Sequence, residues 1–124
     1  MIDIPDEKTK VVPKKNRVGI ETVPDTIEAV VVVKSGKNAG QTFKIKEKVT
    51  TIGRTGDVDI KLDDETLSRC HAAITYNNME FRIKDLGSAN GTILNGSEVK
   101  EYALRNKDKV IVGETMFQFL IHRV

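Results

Sequence analysis

Ser68, Arg69, Cys70 and His71 stand side by side: a hydroxyl, a guanidinium, the chain's one cysteine and one of its two histidines. Such a set can serve a nucleophilic enzyme, a metal centre or an anion pocket. A cysteine or serine nucleophile needs a base within hydrogen-bond reach, itself oriented by a third group. If His71 opens the strand HAAITY, Cys70 and His71 point to opposite faces and are badly placed to share a proton. Ser68 and His71 can meet across a turn, where the contact braces a loop, and no GxSxG elbow is present. No enzyme is expected from these residues.

The metal reading lacks ligands. Structural zinc takes about four closely paired Cys or His side chains, against Cys70, His71 and His122 here. Asp57, Asp59, Asp63 and Asp64 lie close together without the glycine and terminal glutamate of a calcium loop, and read as solvated turn residues. The glycine-rich SGKNAGQT lacks the closing Lys-Ser or Lys-Thr pair of a phosphate loop and joins two strands, as a hairpin turn does. No metal and no cofactor is expected.

An anion pocket needs less: a guanidinium fork, a hydroxyl and a few amides. Arg54 follows Gly53, which lets a strand end turn with no side chain in the way. Ser68 and Arg69 add a hydroxyl and a second cation, and Asn90 offers a donor and an acceptor suited to a peptide main chain.

The elements that must position these groups are strands. TIEAVVVVK, QTFKI, KVTTIG, VDIKL, HAAITY, EFRIKDL, GTILN, KVIVG and TMFQFLIHR follow one another at short intervals, several with alternating polarity. Asn78, Asn90-Gly91, Asn95-Gly96 and glycines 36, 40, 56 and 113 mark the turns. The pattern predicts an all-β, two-sheet β-sandwich. The polar groups fall at strand ends, so loops at one rim can bring them together.

IGR (52–54), SRCH (68–71), DLGSANGT (85–92) and the later NG (95–96) together resemble the motif set of the forkhead-associated (FHA) family, over residues 27–124. The resemblance implies an FHA/SMAD-like sandwich of about eleven strands that binds phosphothreonine peptides through its loops. It further implies that Arg54 holds the phosphate, Ser68 hydrogen-bonds it, Arg69 adds a polar contact and Asn90 grips the peptide backbone. Gly53, His71 and Gly91 become structural members of the motifs. Thr66 stands in the loop that helps to select the residue three places after the phosphothreonine; since it is not arginine, an aliphatic residue is expected there rather than an acidic one. Ala89 departs from members that carry a threonine before the asparagine, leaving one phosphate donor fewer.

Residues 1–26 differ from the rest. They hold all three prolines, mix acidic and basic patches and show no periodicity, and are expected to form a disordered tail. Thr9 follows acidic residues and has Val12 three places on; Thr22, with Asp25 three places on, is the second candidate. The expectation is that phosphorylated Thr9 docks in the domain's own pocket, as in small bacterial FHA proteins that this chain resembles, whose N-terminal threonine is modified by a Ser/Thr kinase. The roughly 18 residues from Thr9 to the first strand span about 23 Å as a coil.

Bulk properties bound the partners. A net charge of +2 gives no electrostatic case for nucleic acid, and the tail's lysines have no aromatic residues among them to stack on bases. Apolar runs such as AVVVV and MFQFLI are too short to span a bilayer as helices. One cysteine and a polar start, MIDIPDEKTK, fit a cytoplasmic location. Expected partners are phosphothreonine proteins, a Ser/Thr kinase and the chain's own tail, with no membrane. The rival readings are a phosphate-independent interaction sandwich and a basic-tailed protein associated with nucleic acid.

Overall fold

A computed structural model describes residues 22–124. Eleven strands account for its regular structure: β1 (Ile27–Val33), β2 (Thr42–Lys44), β3 (Val49–Gly53), β4 (Ile60–Lys61), β5 (Ala72–Asn77), β6 (Glu80–Asp85), β7 (Thr92–Leu94), β8 (Ser97–Val99), β9 (Glu101–Leu104), β10 (Lys109–Val112) and β11 (Thr115–Arg123). They form a six-stranded sheet in the order β2-β1-β11-β10-β7-β8 and a five-stranded sheet in the order β4-β3-β5-β6-β9. Every pairing is antiparallel except β3 with β4, which is parallel. This is the expected all-β, two-sheet β-sandwich of eleven strands. Among the described residues, no helix is long and apolar enough to cross a membrane.

Alternation explains the core. Val31 and Val33 of β1, Val110 and Val112 of β10, and Phe117 and Phe119 of β11 point inward from one sheet. Ile74 and Tyr76 of β5 and Phe81 and Ile83 of β6 meet them from the other. Phe81 joins the layers, its ring centroid 4.7 Å from that of Tyr76 and 5.2 Å from that of Phe119, both at tilted angles. Such pairs add about 0.5–1.5 kcal/mol each beyond area burial.

The turns follow their residues. Asn95 and Gly96 both take positive φ, at 48° and 91°, as a two-residue hairpin between β7 and β8 demands. Between β5 and β6, Asn78 is joined in the left-handed region by Met79, at φ 51° and 65°. Methionine there carries no turn signal in the sequence.

Residues 22–26, grouped with the tail on composition, are built into the domain. Val23 is buried in the core and donates its N–H to the Lys46 carbonyl at 2.7 Å, and Thr22 forms an antiparallel bridge with Glu47. Thr22 itself is exposed. Thr9, and with it residues 1–21 of the expected tail, lies outside the described residues.

Candidate functional site

The loops β3–β4, β4–β5 and β6–β7 meet at one rim and bring Arg54, Ser68, Arg69 and Asn90 together. Gly53 ends β3 against the loop 68–70, where a Cβ would collide with the backbone carbonyl of Arg69. That approach lets the Arg69 carbonyl accept from the Arg54 N–H at 3.0 Å, clasping the two loops. The Arg54 side chain is aimed by one further bond, Nε to the Leu67 carbonyl at 2.9 Å. Its Nη1 and Nη2 have no partner among the described residues, and the side chain is exposed. A fork held by its Nε with both terminal nitrogens open is set to meet a tetrahedral oxyanion.

Ser68 is held from both sides. Its N–H donates to His71 Nδ1 at 3.2 Å, and its Oγ accepts from the Ala89 N–H at 3.0 Å. The hydroxyl proton stays available for donation. Asn90 donates through Nδ2 to the Thr66 carbonyl at 2.7 Å, which leaves the second amide hydrogen and Oδ1 for a ligand. The Arg69 side chain is exposed.

His71 is fully buried and braces the rim. Because Nδ1 accepts from Ser68, Nε2 carries the hydrogen and donates to the Gly91 carbonyl at 2.8 Å. Both ring nitrogens are thus engaged by backbone, and neither is left to serve as a base for Ser68 Oγ. Gly91 takes φ +82° at the head of β7.

Two carboxylates absent from the sequence-based site hold this rim from beneath. Asp85, at the end of β6, accepts from the Gly87 N–H and Ser88 N–H at 3.0 Å each, from Ser88 Oγ at 2.5 Å and from Thr92 Oγ1 at 2.8 Å. Ser88 Oγ in turn accepts from the Gly91 N–H. Burial pushes the Asp85 carboxyl upward, but the Ser88 and Thr92 hydrogen bonds outweigh it and hold the pKa below its ordinary value of 3.8. The signal was present: Asp followed two and three places on by Gly and Ser is an Asx-turn pattern.

Asp64 is the second, and it corrects the reading of the acidic cluster as solvated turn residues. It is buried, accepts from Thr66 N–H and Oγ1, and reaches across to the Glu114 N–H at 2.9 Å and Thr115 Oγ1 at 2.8 Å. Here too burial pushes the carboxyl up, while the Thr66 and Thr115 hydroxyls, with the two N–H donors, bring it below 3.8. Asp59 is engaged as well, accepting from Thr51 N–H and Oγ1. Thr66 is held between neighbours: its hydroxyl donates to Asp64 and its carbonyl accepts from Asn90.

The same residues carry the likeness to known proteins. The family model described as FHA domain matches residues 50–113, which contain every rim residue named above. The chain is 43% identical over 102 residues to the glycogen accumulation regulator GarA of Mycobacterium tuberculosis, a match taking in 82% of this chain and 62% of that protein. It is 39% identical over 102 residues to the oxoglutarate dehydrogenase inhibitor of Corynebacterium jeikeium, across 82% of this chain and 70% of that one. The match thus spans less than two thirds of the mycobacterial relative's length. Among solved structures, one from a structural and functional analysis of phosphothreonine-dependent FHA domain interactions superposes with a TM-score of 0.73 at 28% identity, covering 78% of this chain and 99% of that one.

Proposed function

The chain belongs to the forkhead-associated family, and on that premise we propose that it is a phosphothreonine-reading regulatory module, acting in the cytoplasm by binding rather than by catalysis. The observation that carries the reading is the Arg54 guanidinium, aimed by its Nε bond to the Leu67 carbonyl and open at both terminal nitrogens among the described residues. Ser68 Oγ with its free proton and Asn90 with its free Oδ1 complete a shell for a phosphate and the main chain beside it. Arg69 supplies a second cation at the rim, and Thr66 lines the loop that selects the residue three places on. The relatives' names, a regulator and an enzyme inhibitor, are consistent with a partner controlled by docking.

Each charge-assisted hydrogen bond contributes about 1.5–3 kcal/mol, so Arg54→Ala is expected to weaken a phosphothreonine peptide by about tenfold to a hundredfold. Titrating one peptide with and without its phosphate, against the native chain and the variant, is the measurement. Equal affinity for the two peptides, or undiminished affinity in Arg54→Ala, would sink the reading.

The finer proposal is an internal ligand. A Ser/Thr kinase phosphorylates Thr9, and the phosphorylated segment occupies the rim of its own chain. Anchoring at Thr22 and Val23 leaves residues 10–21 as the tether between Thr9 and the domain. Such a tether gives an effective concentration on the order of millimolar. Mass spectrometry after kinase treatment identifies the threonine, with Thr22 the alternative. Phosphorylated chain that still captured an external phosphopeptide as tightly as unmodified chain would exclude the closed state.

A further inference from the structure

The chain joins the domain at the end opposite the rim. Thr22 and Val23 pair with Glu47 and Lys46, at the end of the sandwich where β5 and β11 finish. There Tyr76 donates its N–H to the Lys48 carbonyl, and Val124 donates its N–H to the Thr26 carbonyl. The bridge from Thr22 to Glu47 is antiparallel. Continued in that sense, the chain before Thr22 heads the way residues 48–53 run, along β3 towards Gly53 and Arg54 at the rim.

A groove follows that line. It lies on the flank where β2 and β4 are the edge strands of their sheets. Its first part, about 400 Å³, starts at Lys46 and Glu47, passes Thr50 and ends at Thr42, Asp59 and Ile60. At Lys61, next along β4, it meets a second hollow of about 410 Å³ that contains Arg54 and is bounded by Asn38, Asp63 and Glu65. Asp63 donates its N–H to Asn38 Oδ1 at 2.7 Å, which ties the β1–β2 and β4–β5 loops together at this second hollow.

On the reading that phosphorylated Thr9 occupies the rim, we propose that this groove is the track that residues 10–21 follow to reach it. The order of charges names the occupant. Glu21, next to Thr22, is the one acid of the segment, and its cations Lys10, Lys14, Lys15 and Arg17 all lie nearer Thr9. The groove has the matching order. Exposed Lys44 and Lys46 outnumber Glu47 where the chain enters, and Asp59, Asp63 and Glu65 stand towards the rim. Lys61 and Arg54 are the cations of the rimward half, where the phosphate itself arrives. Length permits the route. From Glu47 to Arg54 is about 23 Å at about 3.3 Å per residue, and the chain from Thr9 to Thr22 reaches at most about 45 Å. The surplus lets it turn over the rim.

The test is nuclear magnetic resonance on the full, kinase-treated chain carrying Cys70→Ser. A nitroxide is placed through Lys44→Cys on the groove, or through Tyr102→Cys on β9, the edge strand of the other flank. Shifts of the Ser68 and Asn90 amides on phosphorylation report docking whatever the route. With those shifts present, the amides of residues 14–20 are expected to lose most of their intensity to the label at position 44 and little to the label at position 102. Equal loss from both labels, or loss from neither, overturns the track and leaves docking standing. Rim amides that do not shift overturn docking and the track with it. Nitroxide-bearing chain mixed with isotope-labelled chain should cause no broadening; broadening there puts the segment on a second copy and overturns the track. Asp63→Lys with Glu65→Lys should lower, several-fold, the factor by which phosphorylation weakens capture of an external phosphothreonine peptide. The unphosphorylated variant is the reference, so a direct effect on the rim cancels. An unchanged factor overturns the proposal equally.

Discussion

The rim has two tiers with opposite physical requirements. The upper tier, Arg54, Ser68, Arg69 and Asn90, has part of its hydrogen-bonding capacity unspent. The lower tier, Asp64, His71 and Asp85, is buried with its polar atoms paired to loop backbone and hydroxyls. Recognition needs donors left open, and open donors on mobile loops are poorly aimed. The buried tier resolves this by fixing the loops, at the cost of placing two carboxylates and a histidine in the interior. The lesson is that affinity and stability should come apart when the tiers are changed separately.

The largest effect is expected beneath the rim. Asp85→Ala strips partners from Gly87 N–H, Ser88 N–H and Oγ, and Thr92 Oγ1 at once. Unsatisfied buried groups cost about 1–3 kcal/mol each, so chemical denaturation should show a loss of about 3 kcal/mol or more, with peptide binding lost as well. Gly53→Ala comes next. Its Cβ would meet the Arg69 carbonyl, a backbone atom that cannot swing aside, and overpacking of this kind costs about 1–3 kcal/mol. It should lower stability and displace Arg54 together, linking the tiers.

Arg54→Lys sharpens the contrast from above. It keeps the charge but loses the Nε anchor to Leu67 and the planar fork. Binding should fall by about tenfold, while stability stays within about 0.5 kcal/mol, as for surface substitutions generally.

The smallest effect concerns pH. A carboxyl whose folded-state pKa is lowered stabilises the fold at every pH above its unfolded value and loses that contribution as pH falls through the folded one. Asp64 and Asp85 both lie below 3.8. Their contribution should therefore be constant between pH 8 and pH 5 and be lost below about pH 3.8. Phosphopeptide binding should weaken earlier, near pH 6, where the phosphate takes up its second proton. A thermal transition that moved in step with binding through pH 6 would break the separation between tiers.

What the sequence made legible follows the same division. Arg54, Ser68 and Asn90 could be singled out because they belong to short motifs of recognisable types and spacing, and the fold brings them to one rim. Asp64 was missed because an aspartate in an acidic run looks solvated, and only the long reach to Glu114 and Thr115, fifty residues away, makes it structural. β8 and β9 carry little apolar periodicity because they lie on sheet edges, with Ser97, Glu98 and Tyr102 exposed. Val23 was hidden by the prolines around it. The unbroken run Val30–Val33 did carry a message: alternation fails where both faces of a strand are apolar.

Cys70, which first gave its neighbourhood the look of a catalytic centre, has a different consequence. It is exposed beside Arg69, and the chain has no second thiol. A maleimide fluorophore therefore attaches at one known point on the lip of the rim. Its emission tests the proposed occupancy of the rim, by an added phosphopeptide or after kinase treatment of the chain itself, without a mutation to either tier.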